Sequence, residues 1–354
     1  MSTKLYCDSH IGATALAIYR FGLTPPFVEM LDVSNPLKPA LVCRLTPAYG
    51  AHFLSDTKLT FWIDDQIGTA DLSSGAITQT ARLTARAGTG AFSADGTKFA
   101  YRVFDESGGM STHLYVNGSD RTLYTQEPLG GHDGPGLSFG PVDQLQFSPD
   151  GSLLLDFFAF RPQSGPANFI VFRANGSILF QSTTSTSGAW SPVGNTLYFL
   201  GHNQPGPTGE LDSLTADGQR HVVATGLNGL WWPRMSPDGR SIIYNASDSS
   251  VPDCGGVPHL WRVDLTTGRA TQISKSISSA PFFIQRTVVW SDEQQLSPCG
   301  PGGPSTPDGV ILAHDLNTGQ DATVNTDLIV PGIGGPPLSP ASTLNLLDVW
   351  LVPV

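Results

Sequence analysis

Two near-identical stretches, FSPDGSLLLDF at residues 147–157 and MSPDGRSIIYN at residues 235–245, decide the fold. Each places Ser-Pro-Asp-Gly between an apolar residue and a run of β-forming residues. Proline sets φ to about −65° at the first turn position, aspartate bonds nearby backbone N–H groups, and glycine accepts a positive φ. A short hairpin loop requires these properties. We therefore interpret Asp150 and Asp238 as turn residues and not as catalytic groups.

The motif recurs along the chain. Further copies are HFLSDTKLTFW from His52, AFSADGTKFAY from Ala91, AWSPVGNTLYFL from Ala189 and a degenerate PFFIQRTVVWS from Pro281. The SADG and SPVG copies change the proline or the aspartate, which a turn permits and a catalytic carboxylate does not. The spacing of roughly 40 to 55 residues is the period of a propeller blade.

A second kind of turn lies between these copies. DLSSG at Asp71, DLTTG at Asp264 and DLNTG at Asp315 each separate two apolar segments. Two hairpin turns per period indicate four strands per period, which is one blade. No segment shows a convincing helical spacing of apolar residues.

The sequence therefore predicts an all-β fold, a β-propeller of four-stranded antiparallel blades. We expect seven blades, with six as the alternative. The first unit shows only three strands, and the strand-like LNLLDVWLVPV at the C-terminus would complete it, so that the N- and C-terminal strands close the ring. We expect one domain over residues 1–354. Its approximate blades are 10–48 plus 344–352, 50–84, 89–128, 136–182, 187–226, 227–275 and 277–325.

The copies at Ser93, Ser148, Ser191 and Ser236 resemble the WD40-like (PD40) repeat of the TolB-like β-propeller family, and the resemblance covers most of residues 50–292. It implies a propeller fold, and we separately expect a bacterial protein that is exported from the cell. It does not imply one activity, because such propellers serve as docking platforms, as enzymes and as accessory domains of peptidases.

Charge and composition exclude some classes of function. The formal net charge is −11 and no basic stripe is visible, which argues against nucleic acid as a partner. No apolar run reaches the roughly 18 residues that a membrane span requires. The N-terminal MSTKLYCDSH does not resemble a signal peptide.

The four cysteines lack C-x-x-C spacing, and their even number is compatible with disulfides and a periplasmic or extracellular location. Cys254 and Cys299 fall in corresponding long loops of the sixth and seventh units, and we expect them to form a disulfide. For Cys7 and Cys43, a bridge and two separate thiols both remain open.

The two faces of the propeller have different expected roles. In an antiparallel blade, both kinds of turn described above lie on one face, the bottom, whereas loops after second strands and loops between blades lie on the other, the top. The top face is therefore where we expect binding. The candidate ligand-binding residues are His52, His202, Trp231, Trp232, Arg234, Asp64, Asp105 and Asp292.

Two catalytic alternatives involve histidines of the same face. His52, His132 and His202 are candidate ligands for a metal, because neutral imidazole commonly binds transition metals. The stretch GLSFG at residues 136–140 matches the G-x-S-x-G pattern of serine hydrolases, which makes Ser138 a candidate nucleophile with His132 and Asp133 as partners.

The leading hypothesis is a monomeric, non-catalytic propeller that binds a protein or small ligand at the top face of its central channel. We expect no cofactor. The alternative is a hydrolase or lyase with a His/Asp site at the top of the channel, acting with or without a divalent metal in the channel.

Overall fold

The computed structural model describes most of the chain. The residues described are 3–7, 15–21, 26–37, 40–105, 109–126, 144–158, 168–202, 209–227, 230–248, 257–274, 278–284, 287–294, 306–324 and 345–351. Within these ranges all regular structure is strand, and no helix is present. Among the same residues, no helix is long and apolar enough to cross a membrane.

The strands form seven antiparallel sheets, which are the seven blades of a propeller, numbered 1 to 7 in chain order. In blades 2 to 7 the strands pair in sequence order, and the first strands of most neighbouring blades contact one another. The strands of blades 2 to 4 are β5 (Gly50–Phe53), β6 (Lys58–Ile63), β7 (Gln66–Asp71), β8 (Ile77–Arg82), β9 (Thr89–Phe92), β10 (Lys98–Phe104), β11 (Met110–Val116), β12 (Ser119–Gln126), β13 (Gln144–Phe147), β14 (Leu153–Phe158), β15 (Asn168–Arg173) and β16 (Ile178–Ser182). The strands of blades 5 to 7 are β17 (Thr186–Trp190), β18 (Leu197–His202), β19 (Gly209–Leu214), β20 (Arg220–Leu227), β21 (Leu230–Met235), β22 (Ser241–Asp248), β23 (Val257–Asp264), β24 (Ala270–Gln272), β25 (Ser278–Ile284), β26 (Thr287–Gln294), β27 (Thr306–Asp315) and β28 (Asp321–Val324).

Blade 1 closes the ring with strands from both ends of the chain. Its strands are β1 (Lys4–Cys7), β2 (Ala15–Phe21), β3 (Phe27–Asp32), β4 (Ala40–Thr46) and β29 (Asn345–Leu351). Their order in the sheet is β1-β4-β3-β2-β29, so the C-terminal strand takes the place of a first strand beside β2. The prediction of seven blades closed by the terminal strands is confirmed, and the six-blade alternative is wrong.

The fifth strand of blade 1 was not expected. β1 pairs antiparallel with β4 and places Cys7 directly opposite Cys43. The two cysteines form a disulfide. Of the two alternatives that the sequence left open for this pair, a bridge or two separate thiols, the structure shows the bridge.

Hydrogen bonds explain the Ser-Pro-Asp-Gly turns. In the copy between β13 and β14, Gly151 N–H donates to Ser148 O at 2.8 Å, and Gly151 has a φ of +67°. Asp150 Oδ1 accepts from Ser148 Oγ and from Ser152 N, both at 2.8 Å. Asp238 accepts from Ser236 Oγ at 2.6 Å in the equivalent turn of blade 6. Both aspartates are turn residues, as the sequence indicated.

The core lies between neighbouring blades. Trp62 of blade 2 packs against Phe99 of blade 3 with ring centroids 5.2 Å apart. Phe169 of blade 4 packs against Phe199 of blade 5 at 4.9 Å. Because each blade buries one face against its predecessor and the other against its successor, the ring positions the loops of the top face rigidly.

One interface between blades also buries a pair of charges. Arg102 of β10 and Asp156 of β14 are 1% and 0% exposed, and they form an ion pair with a distance of 2.5 Å from Nη2 to Oδ1. Arg102 also donates to Phe157 O at 2.7 Å, and Thr112 donates to Asp156 Oδ2 at 2.5 Å. These bonds connect blade 3 to blade 4, and their partners compensate for the desolvation of both charges.

Candidate functional site

Three connections of the top face meet at blade 2. They are the segment before β5, the turn between β6 and β7, and the segment between β8 and β9. Backbone hydrogen bonds join them, because Tyr49 N–H donates to Trp62 O and Ala87 N–H donates to Asp64 O, both at 2.9 Å. The side chains of these segments are therefore held on a fixed backbone.

Asp64 is the centre of this meeting point. It has a φ of +53°, a conformation that aspartate tolerates better than most residues. Its Oδ1 lies 2.9 Å from Arg86 Nε and accepts from the Tyr49 hydroxyl at 3.2 Å. Arg86 Nη2 donates to the same hydroxyl at 2.6 Å, and the guanidinium lies 5.8 Å from the centroid of the Tyr49 ring. The hydrogen bond to Tyr49 and the charge of Asp64 raise the pKa of Arg86.

A second ion pair lies beside the first. Arg82 Nε is 2.6 Å from Asp65 Oδ2. We call Tyr49, Asp64, Asp65, Arg82 and Arg86 together the blade 2 cluster. Its two arginines are 74% and 71% exposed, and two guanidinium groups balance two carboxylates.

The cluster changes the interpretation of the acidic residues on this face. The sequence identified Asp64 as a ligand-binding carboxylate but gave no role to Tyr49, Arg82 or Arg86. A signal was present, since ARLTARAG at residues 81–88 places two arginines four positions apart in a connection of the top face. Their contacts with Asp64 and Asp65 depend on how three separate loops meet, which the sequence pattern does not show.

Asp105 has a local structural role at the equivalent place in blade 3. Its Oδ1 accepts from Gly109 N–H at 2.7 Å, and its own N–H donates to Gly109 O at 3.0 Å. These two bonds hold together the ends of the loop between β10 and β11.

His52 does not lie in a loop of the top face, where the sequence analysis placed it. It belongs to β5, and its Nε2 is 3.1 Å from the carbonyl oxygen of Ala94. Ala94 lies in the SADG turn of blade 3, which is on the bottom face. Its imidazole therefore contacts the opposite end of the propeller from the blade 2 cluster.

Trp231, Trp232 and Arg234 also lie in a strand, β21, and not in the loop that was expected. Arg234 Nη1 donates to Pro233 O at 3.2 Å, and burial lowers the pKa of its guanidinium to about 10. His202 ends β18 and Asp292 lies in β26. The side chains of His202, Asp292 and the two tryptophans are outside the described part of the structure.

Several other sequence-based candidates lie outside the described residues. They are His132, Asp133 and Ser138, together with Cys254 and Cys299. The metal hypothesis for His52, His132 and His202 therefore stays a prediction. Within the ranges that the structure describes, no group of three or more His, Cys, Asp or Glu side chains could hold a metal ion.

A Ser–His–Asp arrangement does occur in the described residues, within blade 3. Ser111 Oγ is 2.9 Å from His113 Nε2, and His113 Nδ1 is 3.8 Å from Asp120 Oδ1. The second distance is too long for a hydrogen bond. Asp120 Oδ2 instead accepts from the Tyr101 hydroxyl at 2.5 Å and from Thr84 Oγ1 at 2.8 Å. The carboxylate thus ties the connection after β8 to the sheet of blade 3, which is a bracing role.

Comparison with known proteins supports the fold. No protein family profile matches this chain, and no curated protein is significantly similar to it. Among solved structures, the tricorn protease is similar over 99% of this chain and 36% of its own length, with a TM-score of 0.56 and 11% identity. The chain thus spans about a third of that protein.

Two other similar structures come from bacteria. TolB from Acinetobacter baumannii matches 96% of this chain and 82% of its own, with a TM-score of 0.45 and 12% identity. Dipeptidyl peptidase 4 from Porphyromonas gingivalis matches 92% of this chain and 51% of its own, with a TM-score of 0.48 and 12% identity. The resemblance to TolB-like propellers is confirmed at the level of the fold. At such identities a likeness shows the fold alone, so function has to be argued from residues.

Proposed function

We propose that this seven-bladed propeller is a non-catalytic binding protein, which docks a partner protein on its top face through the blade 2 cluster. The observation that carries the proposal is the ordered set of the half-buried Tyr49 and the exposed Arg82 and Arg86, each held by an aspartate of the turn between β6 and β7.

The types of residue in the cluster support a protein partner. Tyrosine and arginine are enriched among the residues that dominate binding energy at protein interfaces. Arg82 is held at its Nε by Asp65, and Arg86 by Asp64. Because these contacts restrict the side chains before a partner arrives, less conformational entropy is lost on binding.

Stability does not explain the cluster. An exposed ion pair contributes only about 0 to 1 kcal/mol to folding. The ion pairs of Arg82 and Arg86 therefore add little to the free energy of folding. At an interface, by contrast, both guanidinium groups would contact the partner. We infer that the arrangement is maintained for contact with another molecule.

The disulfide supports a location outside the reducing cytoplasm. The Cys7–Cys43 bond is of a kind that persists in oxidising compartments. We propose that the protein acts in the periplasm or outside the cell, as a monomer that meets its partner there.

The test compares two faces of the same protein. Immobilised wild-type protein and two variants, R82A/R86A and R269A, are exposed to an extract of the source cells. A protein captured by the wild type is then purified for affinity measurement.

Arg269 is an exposed arginine of the bottom face, which makes it the matched control. We expect R82A/R86A to raise the Kd by a factor of about 30 or more, which corresponds to about 2 kcal/mol, and R269A to leave it unchanged. Equal affinity of R82A/R86A and wild type for every captured protein would overturn the proposal.

A further inference from the structure

The outer edge of blade 1 differs from the outer edges of the other blades. Blades 2 to 7 contain four strands each, and blade 1 contains a fifth, β1, outside β4. The covered strand is also more buried than a free outer strand. Val42 and Cys43 of β4 are 3% and 1% exposed, whereas Thr78, Gln79 and Thr80 of β8 are all exposed. Among the described residues, β1 therefore covers the outer edge of blade 1, and no corresponding strand covers the outer edges of blades 2 to 7.

Within the described residues, β1 is held by its pairing with β4, by the disulfide and by few side-chain contacts. The strand has four residues, and Lys4, Tyr6 and Cys7 are exposed. Leu5 packs against the core cluster shared by blades 1 and 2. The Thr3 hydroxyl donates to Pro47 O at 3.3 Å. A four-residue strand at the edge of a sheet adds only one short ladder of hydrogen bonds, so the bond to Cys43 contributes a large share of what keeps β1 docked.

The ring does not depend on β1. Closure runs through β29, which pairs with β2 over most of its length, and β29, β2, β3 and β4 already make a complete four-stranded blade. Removal of β1 would thus leave the same number of strands in blade 1 as in every other blade.

We propose that β1 is a redox-released clasp: reduction of the Cys7–Cys43 bond frees β1 and uncovers the outer edge of β4, while the propeller stays closed. The inference goes beyond the proposed binding at the top face and is independent of it. The occupant of the edge in the oxidised protein is the chain's own N-terminal strand.

The chemistry requires an external dithiol as the reductant. A thiolate of the dithiol attacks Sγ of the exposed Cys7, the Cys7–Cys43 bond breaks, and Cys43 leaves as a thiolate that takes up a proton. The second thiol of the dithiol then attacks the mixed disulfide, forms the dithiol's own internal disulfide and leaves Cys7 as a thiol. Two electrons and two protons have passed from the dithiol to the protein.

Release of β1 changes the surface that blade 1 presents. The N–H and C=O groups of β4 that pair with Lys4, Leu5, Tyr6 and Cys7 become free. A free strand edge of this kind accepts an extended segment by main-chain hydrogen bonding. The oxidised clasp blocks that edge, and the reduced protein exposes it.

Hydrogen–deuterium exchange of the full chain tests the proposal. The C7S variant cannot form the bond and serves as the constitutively released form. Reduction by dithiothreitol is followed in a C254S/C299S variant, so that no other cysteine pair contributes. We expect exchange at β1 and at the outer edge of β4 to rise at least tenfold in both cases. The pairing of β2 with β29 is the internal control and should stay protected.

Two results would overturn the proposal. In the first, alkylation shows both thiols free but β1 keeps the protection of the oxidised protein. In the second, β2 and β29 lose protection together with β1, which would make the disulfide a support of the whole ring. A loss of partner binding in R82A/R86A has no bearing on either result, so the two proposals fail separately.

Discussion

Asp156 stands at a position where three other blades carry aromatic side chains. At the same distance from the turn serine, blades 3, 5 and 6 have Tyr101, Phe199 and Tyr244, all buried. The carboxylate is compatible with this site only because Arg102 and Thr112 bond both of its oxygens. The sequence shows the exception in the repeat, but it does not show which residue of another blade compensates for it.

Replacement of Arg102 by methionine should therefore destabilise the protein strongly. The R102M variant leaves Asp156 buried without its counter-charge, which costs about 3 to 5 kcal/mol. The double variant R102M/D156L replaces the pair by apolar groups of similar volume and should recover most of that loss. Urea unfolding midpoints of the two variants and the wild type measure both effects. If R102M alone unfolds at the wild-type midpoint, the ion pair is not what joins blades 3 and 4.

At the scale of strands, the repeat allowed most of the architecture to be predicted. Turn chemistry is local, so the Ser-Pro-Asp-Gly and Asp-x-x-Gly motifs indicated four strands per blade, and a unit with three strands required the C-terminal strand. β1 was not predicted because KLYC is only four residues long and lacks a turn motif of its own. Its pairing involves a covalent bond to a distant strand, and the two cysteines have a sequence separation of 36.

The contacts of the blade 2 cluster could not be predicted for a related reason. Asp64 follows β6 directly, so the sequence placed it correctly on the top face, and Asp65 lies next to it. Arg82 and Arg86 reach them from a different connection. His52 was misplaced because the end of β4 and the start of β5 are not marked by a turn motif.

The two terminal strands of blade 1 should differ in importance. Deletion of residues 345–354 removes β29 and leaves β2 without its neighbour at the closure of the ring. We expect this variant to lose cooperative unfolding. Deletion of residues 1–7 in a C43S background removes only β1, and we expect a single cooperative transition at a lower midpoint. Loss of the cross-link corresponds to about 4 kcal/mol in the chain-entropy model for a loop of this size. Calorimetry and circular dichroism melts distinguish the outcomes. Cooperative unfolding of the 345–354 deletion would contradict the closure role of β29.

The protein contains carboxylates whose pKa values are shifted in opposite directions by the fold. In the turns of the bottom face, hydrogen bonds from Ser73 and Ser93 lower the pKa of Asp71 and of Asp95, in each case to about 2. In β19, burial and a hydrogen bond to Glu210 raise the pKa of Asp212 to about 6, although Arg220 opposes the rise. Burial also raises the pKa of Glu29.

These shifts predict how stability changes with pH. The lowered carboxylates stabilise the fold above their unfolded pKa of about 4, and this contribution is lost as the pH falls toward 2. Asp212 has the opposite effect, because the folded state favours its protonated form. Its contribution to the stability of the fold is complete below about pH 4 and is lost as the pH rises through 6, which lowers the stability by at most about 3 kcal/mol. We therefore expect maximal stability between about pH 4 and 5, below the range usual for proteins.

The D212N variant separates the two sides of this profile. An amide at position 212 does not ionise, so the fall in stability between pH 4 and 7 should be smaller than in the wild type, with Glu29 responsible for part of what remains. The D95N variant is the matched control, because Asp95 is an exposed turn residue and its replacement should alter only the acid side. Urea midpoints measured from pH 3 to 7 give both curves. Parallel curves for D212N and the wild type above pH 4 would show that Asp212 is ionised throughout, and that Arg220 outweighs its burial.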